Sequence, residues 1–194
     1  MNRQNTQERI LQIAADLFAA NGYAATGVAE LSKATGLGKG ALYYHIGSKE
    51  ELLYKISARH VEAELAAGEA LVQADLPAEQ KLRQLARRHM RSIADHLPEI
   101  TVFFREGHSL TGERRDALQK VRARWEDVWR QILRQGTDEG VFRIQDAITV
   151  KGVLGMFNYS YVWLRPDGLL SPEDIADRLL SVALDGLRVG KDGY

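Results

Sequence analysis

The sequence predicts an all-α protein: a small three-helix N-terminal domain followed by a larger helical one. Three observations predict it. Apolar residues recur at three- and four-residue spacing in segment after segment. No stretch alternates apolar and polar residues over the length of a strand. Cap residues, glycines and prolines punctuate the periodic segments where helices should start and stop. The early segments are short and the later ones long. The boundary therefore falls inside the helix that begins near Ser48, giving residues 1–55 and 56–194 as the two domains.

The elements follow in order. Ile10, Ile13, Ala14, Leu17 and Phe18 repeat at helical spacing, and Asn21-Gly22 stops that helix. A short segment with Val28 and Leu31 apolar ends at Gly36, and another carries Ala41, Leu42 and Tyr43. Ser48 is placed as the N-cap of the next helix, with Glu51 completing a capping box. Leu52, Leu53, Ile56, His60 and Val61 supply its inward face. Leu76-Pro77 breaks the chain, and Leu82, Leu85, Ala86, Met90, Ile93 and Leu97 then repeat until Pro98. A shorter apolar helix runs from Ile100 to about His108. Leu118, Val121, Trp125, Val128 and Ile132 form the clearest stripe, closed by Asp138-Glu139-Gly140. Asp146 opens a helix that is apolar nearly all round, from Val150 to Trp163, before Arg165-Pro166-Asp167-Gly168 ends it. Ser171 caps the last helix, with Pro172 at its first position and Asp174 at its third. Ile175, Leu179, Val182 and Leu187 are expected to line its inward stripe.

Composition excludes several classes. Among the 194 residues, 26 Lys and Arg balance 26 Asp and Glu, so any nucleic-acid contact must come from a local basic surface. The absence of cysteine removes disulfides, thiolate zinc sites and cysteine nucleophiles. The polar stretch Met1 to Arg9 has no apolar signal-peptide core, and no apolar run approaches the roughly 20 residues that span a bilayer. The expectation is a cytoplasmic protein without a membrane partner.

The sharpest motif lies between Thr26 and Leu52. Two short helices joined by a glycine-containing turn are the sequence form of a helix-turn-helix. Val28, Leu31 and Leu42 pack the pair together, while Leu37 and Ile46 are further core residues. Gly36 sits where a left-handed residue lets the first helix stop. Gly38, Lys39, Gly40, Ala41, Tyr43 and Tyr44 are left with few core duties, although either tyrosine could be partly buried. Small residues let a helix approach base edges; tyrosines offer hydroxyls to phosphate and rings to thymine methyls. Between Ser32 and Lys49 stand Lys33, Lys39 and Lys49 and no acidic residue, the local positive charge that backbone binding requires. Lys49 opposes the helix dipole at the start of its helix, a small cost that makes sense where a phosphate sits.

The run Thr26-Gly27-Val28-Ala29-Glu30-Leu31, then Gly36-Leu37, then Ala41-Leu42-Tyr43-Tyr44-His45-Ile46-Gly47-Ser48-Lys49-Glu50-Glu51-Leu52 resembles the DNA-binding domain of the TetR family. The resemblance implies a helix-turn-helix domain on a larger helical ligand-binding and dimerisation domain. It implies a repressor that binds palindromic operator DNA as a homodimer and leaves it when an effector binds. Carried over position by position, Thr26, Tyr44 and Lys49 match phosphate contacts. Lys39, Gly40, Ala41 and Tyr43 match positions facing the groove, and His45 one near the backbone. Two departures stand out: Gly27 replaces the usual Ser or Thr N-cap, and Ile46 the commonest phenylalanine.

A weaker resemblance lies further on, in Phe103-Phe104-Arg105-Glu106-Gly107-His108, Glu139-Gly140-Val141-Phe142-Arg143, and Gly155 to Tyr159 through Trp163 to Gly168. It points to a subgroup of the family that regulates fatty-acid, steroid or aromatic catabolism, some members sensing acyl-CoA thioesters. The residues agree with an apolar effector. Met90, Phe103, Phe104, Trp125, Trp129, Met156, Phe157, Tyr159 and Tyr161 offer more aromatic and thioether surface than a bundle needs, and Arg105, His108 and Asn158 could orient a ligand. His89 is a further polar group among them. Plain core packing is the competing reading for each. The last two helices are the expected dimerisation surface, because an all-round apolar helix must meet the bundle on one face and something else on another.

Two other functions compete. An enzyme would need a site, and no phosphate-binding glycine loop, nucleophile elbow or zinc-protease motif occurs. His89 and His96 are seven residues apart on one helix, and Arg105, Glu106 and His108 cluster without a spacing that selects a chemistry. No metal, cofactor or catalytic residue is expected. An architectural DNA-binding protein that senses nothing would bind with little sequence preference, and the large C-terminal part argues against it.

Overall fold

The computed structural model describes residues 3–143 and 146–187. Met1 and Asn2, and the side chain of His60 expected on an inward face, lie outside the described set. The described residues form nine α-helices and two short 3-10 turns, with no strand. The chain divides into two compact units, Met1–Glu62 with His96–Lys120, and Ala63–Asp95 with Val121–Tyr194.

The first unit begins with α1 (Arg3–Asn21), ended by Gly22, whose φ of +87° continues no helix. Helix α2 (Val28–Thr35) has Gly27 at its N-cap and no side-chain cap bond. It ends at left-handed Gly36, whose N–H donates to Lys33 while that of Leu37 donates to Ser32. Helix α3 (Lys39–Ile46) follows, and α4 (Lys49–Gln73) starts behind Ser48. The Ser48 hydroxyl accepts the Glu51 N–H at 2.9 Å, as a cap should. The expected reciprocal half of the capping box is absent: the Glu51 carboxylate turns to Arg114 and Lys55 instead.

Helix α6 (Leu97–Glu106) and the start of α7 (Gly112–Asp138) complete this unit. Pro98 lies in the first turn of α6 and does not close the preceding helix, α5 (Ala78–Asp95). A 3-10 turn, Gly107–Ser109, joins α6 to α7. Ile10, Ala14 and Phe18 of α1 pack with Leu31, Leu42, Ile46, Leu52, Leu53 and Ile56, and Val102, Phe103, Leu110 and Leu118 close the same core. Each such Leu, Ile or Phe buried is worth about 1.5–3 kcal/mol.

The second unit packs α5 against α9 (Pro172–Leu187), with the rest of α4 and α7 and with α8 (Ala147–Asn158). Asp146 caps α8 by accepting the Thr149 N–H at 2.7 Å. Helix α8 is shorter than its apolar run suggests. It stops at Asn158, and Tyr159–Val162 continue as a 3-10 turn. Three hydrogen bonds join Ser171 and Asp174 at the start of α9, a reciprocal box. The stripe expected on α9 is corrected. Ala176, Leu180, Ala183, Leu184 and Leu187 point inward, while Val182 is 66% exposed and Ile175 and Leu179 only half-buried. The helix carries two apolar stripes, and periodicity cannot say which faces the core.

Candidate nucleic-acid interface and buried aromatic site

In α3 the sequence divides cleanly into two faces. Leu42 and Ile46 are buried against α1 and α2 residues. Lys39, Gly40, Ala41, Tyr43 and Tyr44 are exposed on the other side, Tyr44 by 67%. Both tyrosines are therefore surface residues. His45 is half-buried, its ring 5.3 Å from that of Tyr44 in an edge arrangement. An exposed helix face of one lysine, two small residues and two tyrosines has the shape and donors to enter a major groove.

Lys49, at the start of α4, places its Nζ 4.3 Å from the centre of the Tyr23 ring. Partial burial lowers its pKa, and the nearby Glu106 carboxylate opposes that shift. Thr26 is a correction. It is fully buried, and its hydroxyl donates to the Gly22 carbonyl at 2.9 Å while its N–H donates to the same oxygen. It shapes the turn before α2 and has no hydroxyl left for phosphate.

Two acidic residues beside Lys49 make contacts that the sequence did not indicate. Glu50 accepts both the N–H and the hydroxyl of Thr111 at 2.9 Å, and these bonds hold its pKa low. Glu51 receives the Arg114 guanidinium at 2.6 Å, which lowers the carboxyl pKa and raises that of the arginine. The chain distance of more than sixty residues hid this clamp; only the fold brings the two segments together.

The expected effector residues separate into two groups. Phe103 belongs to the core of the first unit and Phe104 packs beside it, ring centres 5.0 Å apart. Arg105 and His108 are exposed, and Arg105 donates to the Ala19 carbonyl at 3.5 Å. These residues stand on α6 and the turn after it, which fold with the first unit.

The second group gathers inside the second unit. Trp125 and Trp129 lie one helical turn apart on α7, ring centres 6.4 Å apart. Phe157 of α8 lies 5.2 Å from Trp129. His89 of α5 is 5.2 Å from Trp125 and 6.0 Å from Trp129. Its Nε2 meets the Asn158 Oδ1 at 2.9 Å, which makes Nε2–H the donor. Met90 is buried in the same unit and Tyr161 half-buried. Gly68 of α4 permits this packing: a Cβ there would come within 2.9 Å of Trp125. A histidine within the apolar stripe from Leu82 to Ile93 was the sequence signal for His89.

Burial pushes the His89 pKa down from 6.5 to about 4, against the opposing bond from Asn158. The ring is neutral when folded. The unfolded chain takes up a proton below about pH 6.5 that the folded chain refuses until about pH 4. The stability this group contributes is thus full above pH 6.5 and lost as pH falls towards 4, by about 3 kcal/mol in all. Urea midpoints measured from pH 7 to 4.5 should fall more steeply for the native chain than for His89→Leu. Parallel curves would contradict a buried neutral histidine.

Residues 10–56 match the family described as bacterial regulatory proteins, tetR family, and residues 75–187 the tetracyclin repressor-like C-terminal domain. The chain belongs to the TetR family. Its helix-turn-helix is therefore a DNA-binding domain, and the family is one of transcriptional regulators. Among its relatives is the HTH-type transcriptional repressor KstR2 of Rhodococcus jostii, 26% identical over 95% of this chain and 92% of that protein. The structure of the TetR-family regulator PfmR from Thermus thermophilus superimposes with a TM-score of 0.84 at 40% identity, over 91% of this chain and 97% of that one. AibR, solved in complex with isovaleryl coenzyme A and operator DNA, superimposes with a TM-score of 0.81 at 28% identity, again over 91% and 97%. No helix among the described residues is long and apolar enough to cross a membrane.

Proposed function

We propose that this TetR-family protein is a cytoplasmic repressor that binds palindromic operator DNA as a homodimer and is released by a small apolar effector, an acyl-CoA thioester being the first candidate. The observation that carries the reading is the two-faced α3. Its apolar side is spent on the core, which leaves Lys39, Gly40, Ala41, Tyr43 and Tyr44 on the open side. In this reading Lys39, Gly40, Ala41 and Tyr43 meet base edges, and Tyr44, His45 and Lys49 hold the backbone. Residues 1–55 serve DNA and 56–194 serve the effector and the partner copy. Trp125, Trp129, Phe157 and Asn158 form the effector site.

Dimerisation through the last two helices is supported by their outward side chains. Ile148 is 74% exposed and Val182 66%, and Tyr159, Val162 and Trp163 are exposed beside them in sequence. Gly152, Gly155 and Gly186 have open space where a Cβ would stand, which lets a partner helix approach closely. Two copies joined by such an isologous surface would present two recognition helices to two half-sites.

Effector control follows from continuity of the chain. Helices α4 and α7 each contribute residues to both units. The bonds of Glu50 and Glu51 to Thr111 and Arg114 tie their first turns together beside Lys49. An effector that shifts either helix would then reset the spacing of the recognition helices, a population shift.

The test is fluorescence-anisotropy binding to DNA flanking the protein's own gene, with and without isovaleryl coenzyme A and longer thioesters. Tight binding released by one thioester is expected. Binding without sequence preference and indifferent to every effector would instead mark an architectural protein. Lys49→Ala should weaken binding to all sequences and lower the salt slope by about one. A change of base preference in that variant would remove Lys49 from the backbone contacts.

A further inference from the structure

The interior of the second unit holds hydrogen-bond donors with no partner among the described residues. Trp129 is fully buried and Trp125 is 7% exposed, yet neither indole Nε1–H has a partner among the described residues. Ser160, two residues beyond Asn158 and fully buried, has an unpartnered hydroxyl as well. An indole N–H only donates, so it cannot be satisfied by a neighbouring N–H. Each unpaired buried donor is a standing penalty, and most buried polar groups in native proteins escape it. Here two such donors lie on neighbouring turns of α7, inside one ladder of rings: His89, Trp125, Trp129 and Phe157.

The surrounding chemistry narrows what could bond them. The ring faces suit an apolar body. The polar ring of the ladder, His89, already bonds Asn158, and the pair carries no charge. A carboxylate brought here would be buried without a counter-ion, which costs far more than burying a neutral oxygen. A hydrocarbon would leave the donors as they are.

We infer that the effector site reads an uncharged carbonyl oxygen, that of a thioester or a ketone, through the indole N–H groups of Trp125 and Trp129, one to each of its lone pairs. The inference rests on the proposal that an effector binds in this unit and goes on to name the group recognised. A site built around unpaired donors rejects a ligand that lacks the acceptor, because the donors then stay unpaired.

Two probe pairs differ only at the carbonyl and separate its sources: octanoyl-CoA against S-octyl-CoA, and 2-decanone against methyl octyl sulfide. Calorimetric titration of the full-length chain should show the carbonyl member of at least one pair binding about tenfold or more tighter than its twin. Trp129→Phe and Trp125→Phe, which keep a ring and lose the N–H, should bring that ratio towards one. In the native chain, 15N-detected indole resonances should move when the carbonyl ligand binds, a readout independent of how the variants fold. Twins that bind equally, carbonyl probes that do not bind, or indole resonances that stay still would each overturn the inference. Operator binding by the ligand-free protein, measured alongside, tests the regulator reading separately. DNA bound tightly while both pairs bind equally would leave a regulator whose effector is recognised otherwise.

Discussion

Gly40→Asp should abolish specific operator binding, by about a hundredfold or more, while the thermal midpoint moves by no more than about 2 °C. The separation of the two effects comes from where Gly40 stands. It is the second residue of α3, exposed, and a Cβ there would meet no atom within 4 Å. The added side chain therefore disturbs no packing. An acidic residue in the first turn also favours the helix, by about 0.3–1 kcal/mol. On DNA the same carboxylate would face a surface carrying one negative charge per about 1.7 Å and would hold the helix off the base edges. Gly40→Ala, which adds only a methyl, should lose much less. Anisotropy titration beside a melting curve reads both quantities. Undiminished binding by Gly40→Asp would mean that another face of the first unit meets DNA.

Gly136→Ala should destabilise the second unit by about 2–4 kcal/mol, although alanine is normally the better helix residue by about 1 kcal/mol. Gly136 lies near the end of α7, where the chain turns back at left-handed Gly140. Its carbonyl accepts the N–H groups of Val141 and Phe142 at 2.9 and 3.0 Å. Those bonds draw the Phe142 ring over the glycine, into the space a Cβ would fill. Phe142 is 2% exposed, so it has no room to yield. The midpoint should fall by roughly 5–10 °C. Combined with Phe142→Leu, the substitution should cost clearly less than the two changes summed, because the smaller side chain removes the overlap. Strict additivity would show that the ring is not the obstacle.

The sequence by itself determined the helices, the helix-turn-helix and which side of α3 turns outward. Gly36 and the inward set of Leu31, Leu42 and Ile46 are local signals: a left-handed turn and a short amphipathic period are written in neighbouring residues. Once Leu42 and Ile46 are assigned to the core, Lys39, Gly40, Ala41, Tyr43 and Tyr44 are outward by geometry alone. Thr26 escaped that logic because a buried threonine and a phosphate-binding one look alike until the partner carbonyl of Gly22 is seen. Tertiary structure decided which long-range partners meet. It placed α6, with Phe103, Phe104 and Arg105, in the first unit, and Trp125, Trp129 and Phe157 in the second. It chose Leu180 and Leu184 over Ile175 and Val182 on a helix with two apolar stripes. It left the Trp125 and Trp129 indoles without partners among the described residues and gave Glu51 to Arg114. Helical periodicity reports only that a face is apolar. What covers that face depends on contacts between residues tens of positions apart, and no short-range pattern encodes them.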